Sequence, residues 1–147
     1  MESERVFIIG DSHGCLDMLK RLMDKIKWRP EKDRLIFLRD YLDRGEDPRG
    51  VVDFILEISK TSSLVQCLIG NHENIFLDFL DGGDLAMFLL NGGTTTLTSY
   101  GIDNLVEGDS LFPLDLIDFF RNLLPWIELE DYYVVHADLC PGVKIGS

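Results

Sequence analysis

Four short polar clusters each follow directly on an apolar run: Asp11-Ser12-His13-Gly14, Asp40 to Gly45, Asn71-His72-Glu73 and His136-Ala137-Asp138. The sequence holds three histidines, and His13, His72 and His136 all fall in these clusters. A lone histidine after an apolar run is more often a structural or solvated residue. Three of three, each with Asp or Asn close by, point to a shared task. Mixed carboxylate, imidazole and amide donors suit divalent Mn, Fe or Zn better than Ca or Mg. A closed structural zinc site would draw on cysteine. Cys15, Cys67 and Cys140 are scattered, with no CxxC among them. A carboxylate shared by two cations is the usual frame of a two-metal hydrolytic centre.

Such a centre requires elements that deliver the clusters to one place. Val6 to Ile9 is apolar and rich in β-branched residues, and it stops at Gly10, as a buried strand does. Leu16, Leu19, Leu22, Met23 and Ile26 recur at helical spacing, which predicts a helix from Leu16 to Lys27. Leu35 to Leu38 is a second strand. Asp47 then caps a helix with Pro48 at its first position, where a missing amide proton costs nothing. Leu64 to Ile69 is a third strand. The resulting β-α-β-α-β order is that of an α/β domain with parallel pairing. Ligands of open α/β sheets bind beyond the carboxyl ends of the strands, which is where the clusters lie.

The middle of the chain is less regular. Asn74 to Leu80 and Leu85 to Leu90 read as helical, Asn91-Gly92-Gly93 as a turn, and Thr94 to Tyr100 as either helix or strand. Leu114, Ile117, Phe120 and Leu124 predict a helix that stops at Pro125, and Tyr132 to Val135 a last strand. There is no repeat, low-complexity tract or linker, so residues 1–147 read as one domain.

Composition narrows the function further. Lys and Arg total 14 against 26 Asp and Glu, a net charge of -12. Such a surface repels nucleic acid and anionic lipid. No apolar run approaches membrane-spanning length, and the acidic Met1 to Arg5 does not read as the start of a signal peptide. An odd, scattered set of cysteines is no disulfide framework, and it points to a reducing, cytoplasmic setting.

The clusters also carry a family resemblance. Gly10-Asp11-Ser12-His13-Gly14 is similar to the GDxHG motif of the serine/threonine phosphoprotein phosphatases, members of the calcineurin-like metallophosphoesterase superfamily. Asp40-Tyr41-Leu42-Asp43-Arg44-Gly45 resembles most of their GDxxDRG motif, Gly70-Asn71-His72-Glu73 matches their GNHE motif, and His136-Ala137 looks like the start of HAG. The order is the family's, and Asn91-Gly92-Gly93 through Ser99-Tyr100-Gly101 resembles its bacterial branch. The resemblance implies a β-sandwich flanked by helices. It implies two divalent metals, Mn²⁺ or else Fe or Zn, that activate a water for attack on phosphorus. Asp11 and His13 would hold the first metal, Asp40 would bridge, and Asn71 and His136 would hold the second. His72 would be the general acid, oriented by Asp43, and Arg44 would bind the phosphate, with Asn71 beside it. The implied substrate is phosphoserine or phosphothreonine in proteins, or another small phosphoester. The alternative within the superfamily is a dinucleoside polyphosphate.

Three departures from the family pattern stand out. Arg39 and Asp138 occupy positions where the family has glycine. The family also continues beyond the point reached by Ser147, supplying a further His ligand and a further Arg. The expectation is therefore a domain lacking its C-terminal strands, with an incomplete second metal site and a sheet edge that invites self-association. On that expectation a catalytically weak or inactive metal-binding remnant is the rival to an active enzyme.

Overall fold

Val6–Ile9 forms β1 and Arg34–Phe37 forms β2, paired in parallel, with Val65–Cys67 as β3 on the far side of β2. They belong to a computed structural model that describes residues 3–10, 12–38, 40–103 and 112–135. Ile9 pairs with Phe37, and Phe37 with Cys67, so the three strands end level with one another. The polar clusters that follow them therefore leave the sheet at a common rim.

The strands alternate across the sheet, as period-two geometry requires. Leu35 and Phe37 face a large core shared with the helices, whereas Ile36 faces a small second core with Leu68, Ile127 and Val134. Trp126–Glu128 (β4) and Tyr133–Val135 (β5) form the antiparallel hairpin that supplies this second layer. β4 is not apparent in the sequence, because a three-residue strand leaves almost no periodic trace. Among the described residues β1 lies at the sheet's edge, with Val6 43% and Ile8 49% exposed on its outer face.

The helices α1 (Leu16–Ile26) and α2 (Pro48–Thr61) form where periodicity and caps predict. Asp47 accepts a hydrogen bond from the Gly50 amide at 2.8 Å, the N-cap expected before Pro48. Helix α3 (Asn71–Leu80) starts earlier than the apolar pattern suggests, taking in Asn71, His72 and Glu73. Helix α4 (Leu85–Phe88) runs into a kinked turn over Leu89–Gly93, where Gly92 has φ 97°, and Thr94–Ser99 resolves as helix α5. Helix α6 (Leu114–Arg121) buries Leu116, Ile117 and Phe120 but leaves Leu114 77% exposed. Leu124 is not part of it. Its amide donates to the Cys67 carbonyl, and its carbonyl accepts from the Ile69 amide, which ties it to β3. Among the described residues no helix is long and apolar enough to cross a membrane.

Candidate metal centre

The rim beyond β1, β2 and β3 is shaped by an unusual backbone. His13, Asp40, Asp43 and Arg44 all have positive φ, at 37°, 51°, 60° and 52°. Non-glycine residues adopt this region at a cost, and it persists only where neighbours enforce it. The enforcing contacts are visible. The His13 amide donates to the Asp40 carbonyl at 2.7 Å, joining the first two clusters. Gly45, with φ 65°, lies so close that a Cβ there would collide with the His13 carbonyl oxygen.

Glu73 holds the same loop from the other side. Its fully buried carboxylate accepts hydrogen bonds from the amides of Tyr41 (2.6 Å), Gly70 (3.0 Å), Asp40 (3.1 Å) and Leu42 (3.4 Å). Burial, and then the charge of Asp40, push its carboxyl up to about 7, against the pull of the amides. Tyr41, also fully buried, donates its hydroxyl to the Leu68 carbonyl at 2.7 Å. The loop after β2 is thereby fastened to the ends of β2 and β3.

These constraints bring three side chains together. Atoms of His13, Asp40 and His72 that could bind a cation all lie within 4.8 Å of one another. Asp40 Oδ2 is 3.7 Å from His13 Nε2, and Asp40 Oδ1 accepts the His72 amide at 3.3 Å. The imidazoles of His13 and His72 meet edge to face with centroids 5.1 Å apart. His72 Nδ1 lies 2.8 Å from Asp43 Oδ2, and Asp43 is fully buried. That hydrogen bond, helped by the charge on Asp40, raises the His72 pKa above the ordinary imidazole value, although burial opposes it.

The donor set fits a divalent cation. It combines imidazole nitrogen and carboxylate oxygen, and three carboxylates, Asp40, Asp43 and Glu73, are buried beside one another at the rim. Positive charge there would offset their mutual repulsion.

Of the residues singled out in the sequence, His13, Asp40, Asp43 and His72 converge here. Asn71 opens α3 next to His72 and is exposed, and Arg44 follows Asp43 with an exposed side chain. Asp11, His136, Arg39 and Asp138 lie outside the described residues. Burial pushes the Cys67 thiol up to about 12, so it is no nucleophile. One residue goes unmarked in the sequence. Thr96, fully buried on α5, exchanges hydrogen bonds with Asp43. Its only trace there is a polar Thr94-Thr95-Thr96 run after two glycines.

The chain is 30% identical over 140 residues to serine/threonine-protein phosphatase 1 of Salmonella typhimurium, covering 90% of this chain and 58% of that protein. It is 26% identical over 144 residues to a symmetrical bis(5'-nucleosyl)-tetraphosphatase of Actinobacillus succinogenes, covering 92% of this chain and 44% of that one. The chain thus spans about half the length of the curated relatives it matches. The crystal structure of a candidate diadenosine tetraphosphatase superposes with a TM-score of 0.69 at 22% identity, covering 95% of this chain and 53% of that one. This likeness shows the shared α/β fold. Residues 4–143 match the calcineurin-like phosphoesterase family, and the chain belongs to that family.

Proposed function

We propose that the chain provides the catalytic rim of a metal-dependent phosphomonoesterase acting on phosphoserine or phosphothreonine in proteins. The observation that carries the reading is the His72–Asp43 pair beside His13 and Asp40. Two divalent cations, of which Mn²⁺ suits the donor set, would supply charge neutralisation on phosphate and activation of a water. His13, Asp40, Asn71, Asp11 and His136 are the residues we assign to hold them.

The chain's own groups account for the other requirements. With Asp43 on Nδ1, His72 has only Nε2 left to face the site. The Asp43 hydrogen bond on Nδ1 raises its pKa, which supports assigning His72 as the acid and leaving the cations to the other residues. In the reaction the water oxygen bonds to phosphorus and the bond to the leaving oxygen breaks. That oxygen takes the Nε2 proton, and solvent later restores it. Arg44 is assigned to the phosphate, where its planar fork matches two oxygens. We place the protein in the cytoplasm, in keeping with the free thiols of Cys15 and Cys67.

A second substrate class has support of its own, since symmetrical tetraphosphatases recur among the relatives. The protein phosphatase of Salmonella matches at higher identity and over a larger share of its length, which favours the phosphoprotein reading. A phosphothreonine peptide and a dinucleoside tetraphosphate, assayed side by side with Mn²⁺, decide between them. Faster release of phosphate from the peptide is the expected result. Cleavage of the dinucleotide alone replaces the reading, and turnover of neither removes both.

A further inference from the structure

We infer that Thr96 is a positioning residue for His72, acting through Asp43; the inference deepens the reading of His72 as general acid and rests on it. Thr96 and Asp43 lie 53 positions apart in sequence, and both are fully buried. The Asp43 amide donates to Thr96 Oγ1 at 2.9 Å, and Thr96 Oγ1 donates in turn to Asp43 Oδ1. The other carboxylate oxygen, Oδ2, faces His72 Nδ1 at 2.8 Å. A hydroxyl has one proton. The Asp43 amide fills its acceptor side, so that proton is directed to the carboxylate.

The exchange does two things to Asp43. It helps hold the left-handed backbone of Asp43, at φ 60°. It also satisfies Oδ1 in a place closed to water. Without the hydroxyl, Oδ1 is left buried and unpaired, and the carboxylate must turn or take up a proton. Either response weakens its hold on His72 Nδ1, and that hold keeps the proton-bearing Nε2 aimed at the site. Asn91-Gly92-Gly93 brings Thr96 there. Gly92 has φ 97°, and a Cβ on it would lie 3.2 Å from the Arg44 amide nitrogen. The segment from Asn91 to Tyr100 is therefore the wall behind the Asp43–His72 pair.

The test compares Thr96→Val, Thr96→Ala and Thr96→Ser with the unaltered chain. One arm measures kcat and KM with Mn²⁺ on an aryl phosphate, whose leaving group needs no proton, and on an alkyl phosphate, whose leaving group does. Removing the hydroxyl should lower kcat on the alkyl ester about 10- to 100-fold, with a much smaller fall on the aryl ester and little change in KM. Thr96→Ser should restore the rate. Equal losses on both esters, no loss, or a serine variant as poor as the valine one would overturn the inference. A second arm needs no activity. In metal-free protein, the low-field imidazole N–H proton that disappears in His72→Asn should move or exchange away in Thr96→Val and Thr96→Ala, and persist in Thr96→Ser. A resonance unmoved in both hydroxyl-free variants refutes the positioning. If the unaltered chain hydrolyses neither ester, the functional reading fails and the resonance arm alone decides the role of Thr96.

Discussion

Asp33 and Asp43 are both completely buried aspartates, and their partners could hardly differ more. Asp33 lies between two guanidiniums, with Arg29 Nη2 2.7 Å from Oδ1 and Arg5 Nη2 2.6 Å from Oδ2. It also accepts the amides of Arg29 and Arg5. The Arg29 guanidinium, followed by that of Arg5, holds its carboxyl well below the usual carboxylate range. Asp43 instead faces an imidazole and a hydroxyl. A guanidinium never gives up its proton at ordinary pH, so the Asp33 cluster is a fixed clamp joining the start of β1 to the turn before β2. An imidazole can gain and lose one, so the Asp43 pair can serve chemistry. Burial alone does not tell a structural carboxylate from a functional one; the partner does.

The sharpest way to break this comparison is to disrupt each cluster in turn. His72→Asn should lower turnover on an alkyl phosphomonoester by about 100- to 10,000-fold, with the fold retained by circular dichroism. Asp33→Asn should leave turnover per folded molecule unchanged. A comparable loss of rate in both variants would erase the distinction.

Glu73, the third kind of buried carboxylate, has backbone amides for partners. In Glu73→Gln an amide nitrogen must face some of those N–H donors. The expected loss is roughly 2 kcal/mol of stability, read by urea unfolding, together with weaker Mn²⁺ binding as the loop carrying Asp40 loosens. An unchanged unfolding midpoint would mean that the loop holds its shape without the carboxylate.

Smaller in size is the thermal effect of Asp33→Asn. Two guanidiniums lose their charged partner, but both reach solvent, so a fall of several degrees in Tm at neutral pH is expected rather than unfolding. No change in Tm would show the clamp to be ornamental.

The pH dependence of stability should separate Asp33 from His72 by sign. The folded pKa of Asp33 is depressed, so its contribution is present above the unfolded value of about 4 and is lost as pH falls below it. The folded pKa of His72 is raised. Its contribution is present below about 6.5 and is lost as pH climbs through the folded value. In metal-free protein, thermal melts across pH should therefore show an acid limb that flattens in Asp33→Asn. A shallower loss as pH rises past about 6.5 should flatten in His72→Asn. If the acid limb instead flattens in the histidine variant, the two assignments must be exchanged.

Much of this protein is determined by its sequence alone, because the signals involved are short-range. The apolar runs at Val6–Ile9 and Leu35–Leu38, the helical period from Leu16, and the Asp47-Pro48 cap specify local elements. The polar clusters that follow those runs mark where a site must form. Periodicity fails where elements are brief or punctuated by glycine. It gives no sign of β4, places α3 too late, and cannot assign Thr94 to Tyr100. Only the tertiary structure decides partners that are distant in sequence. It brings Thr96 to Asp43 across 53 positions, aims Nδ1 of His72 at Asp43, and gathers four amides on Glu73. It also closes the clamp of Arg5 and Arg29 on Asp33. Those meetings depend on the parallel register that ends β1, β2 and β3 level, and on the turn at Gly92. No local pattern can encode them, since each residue's type is compatible with many other neighbours until the chain has folded.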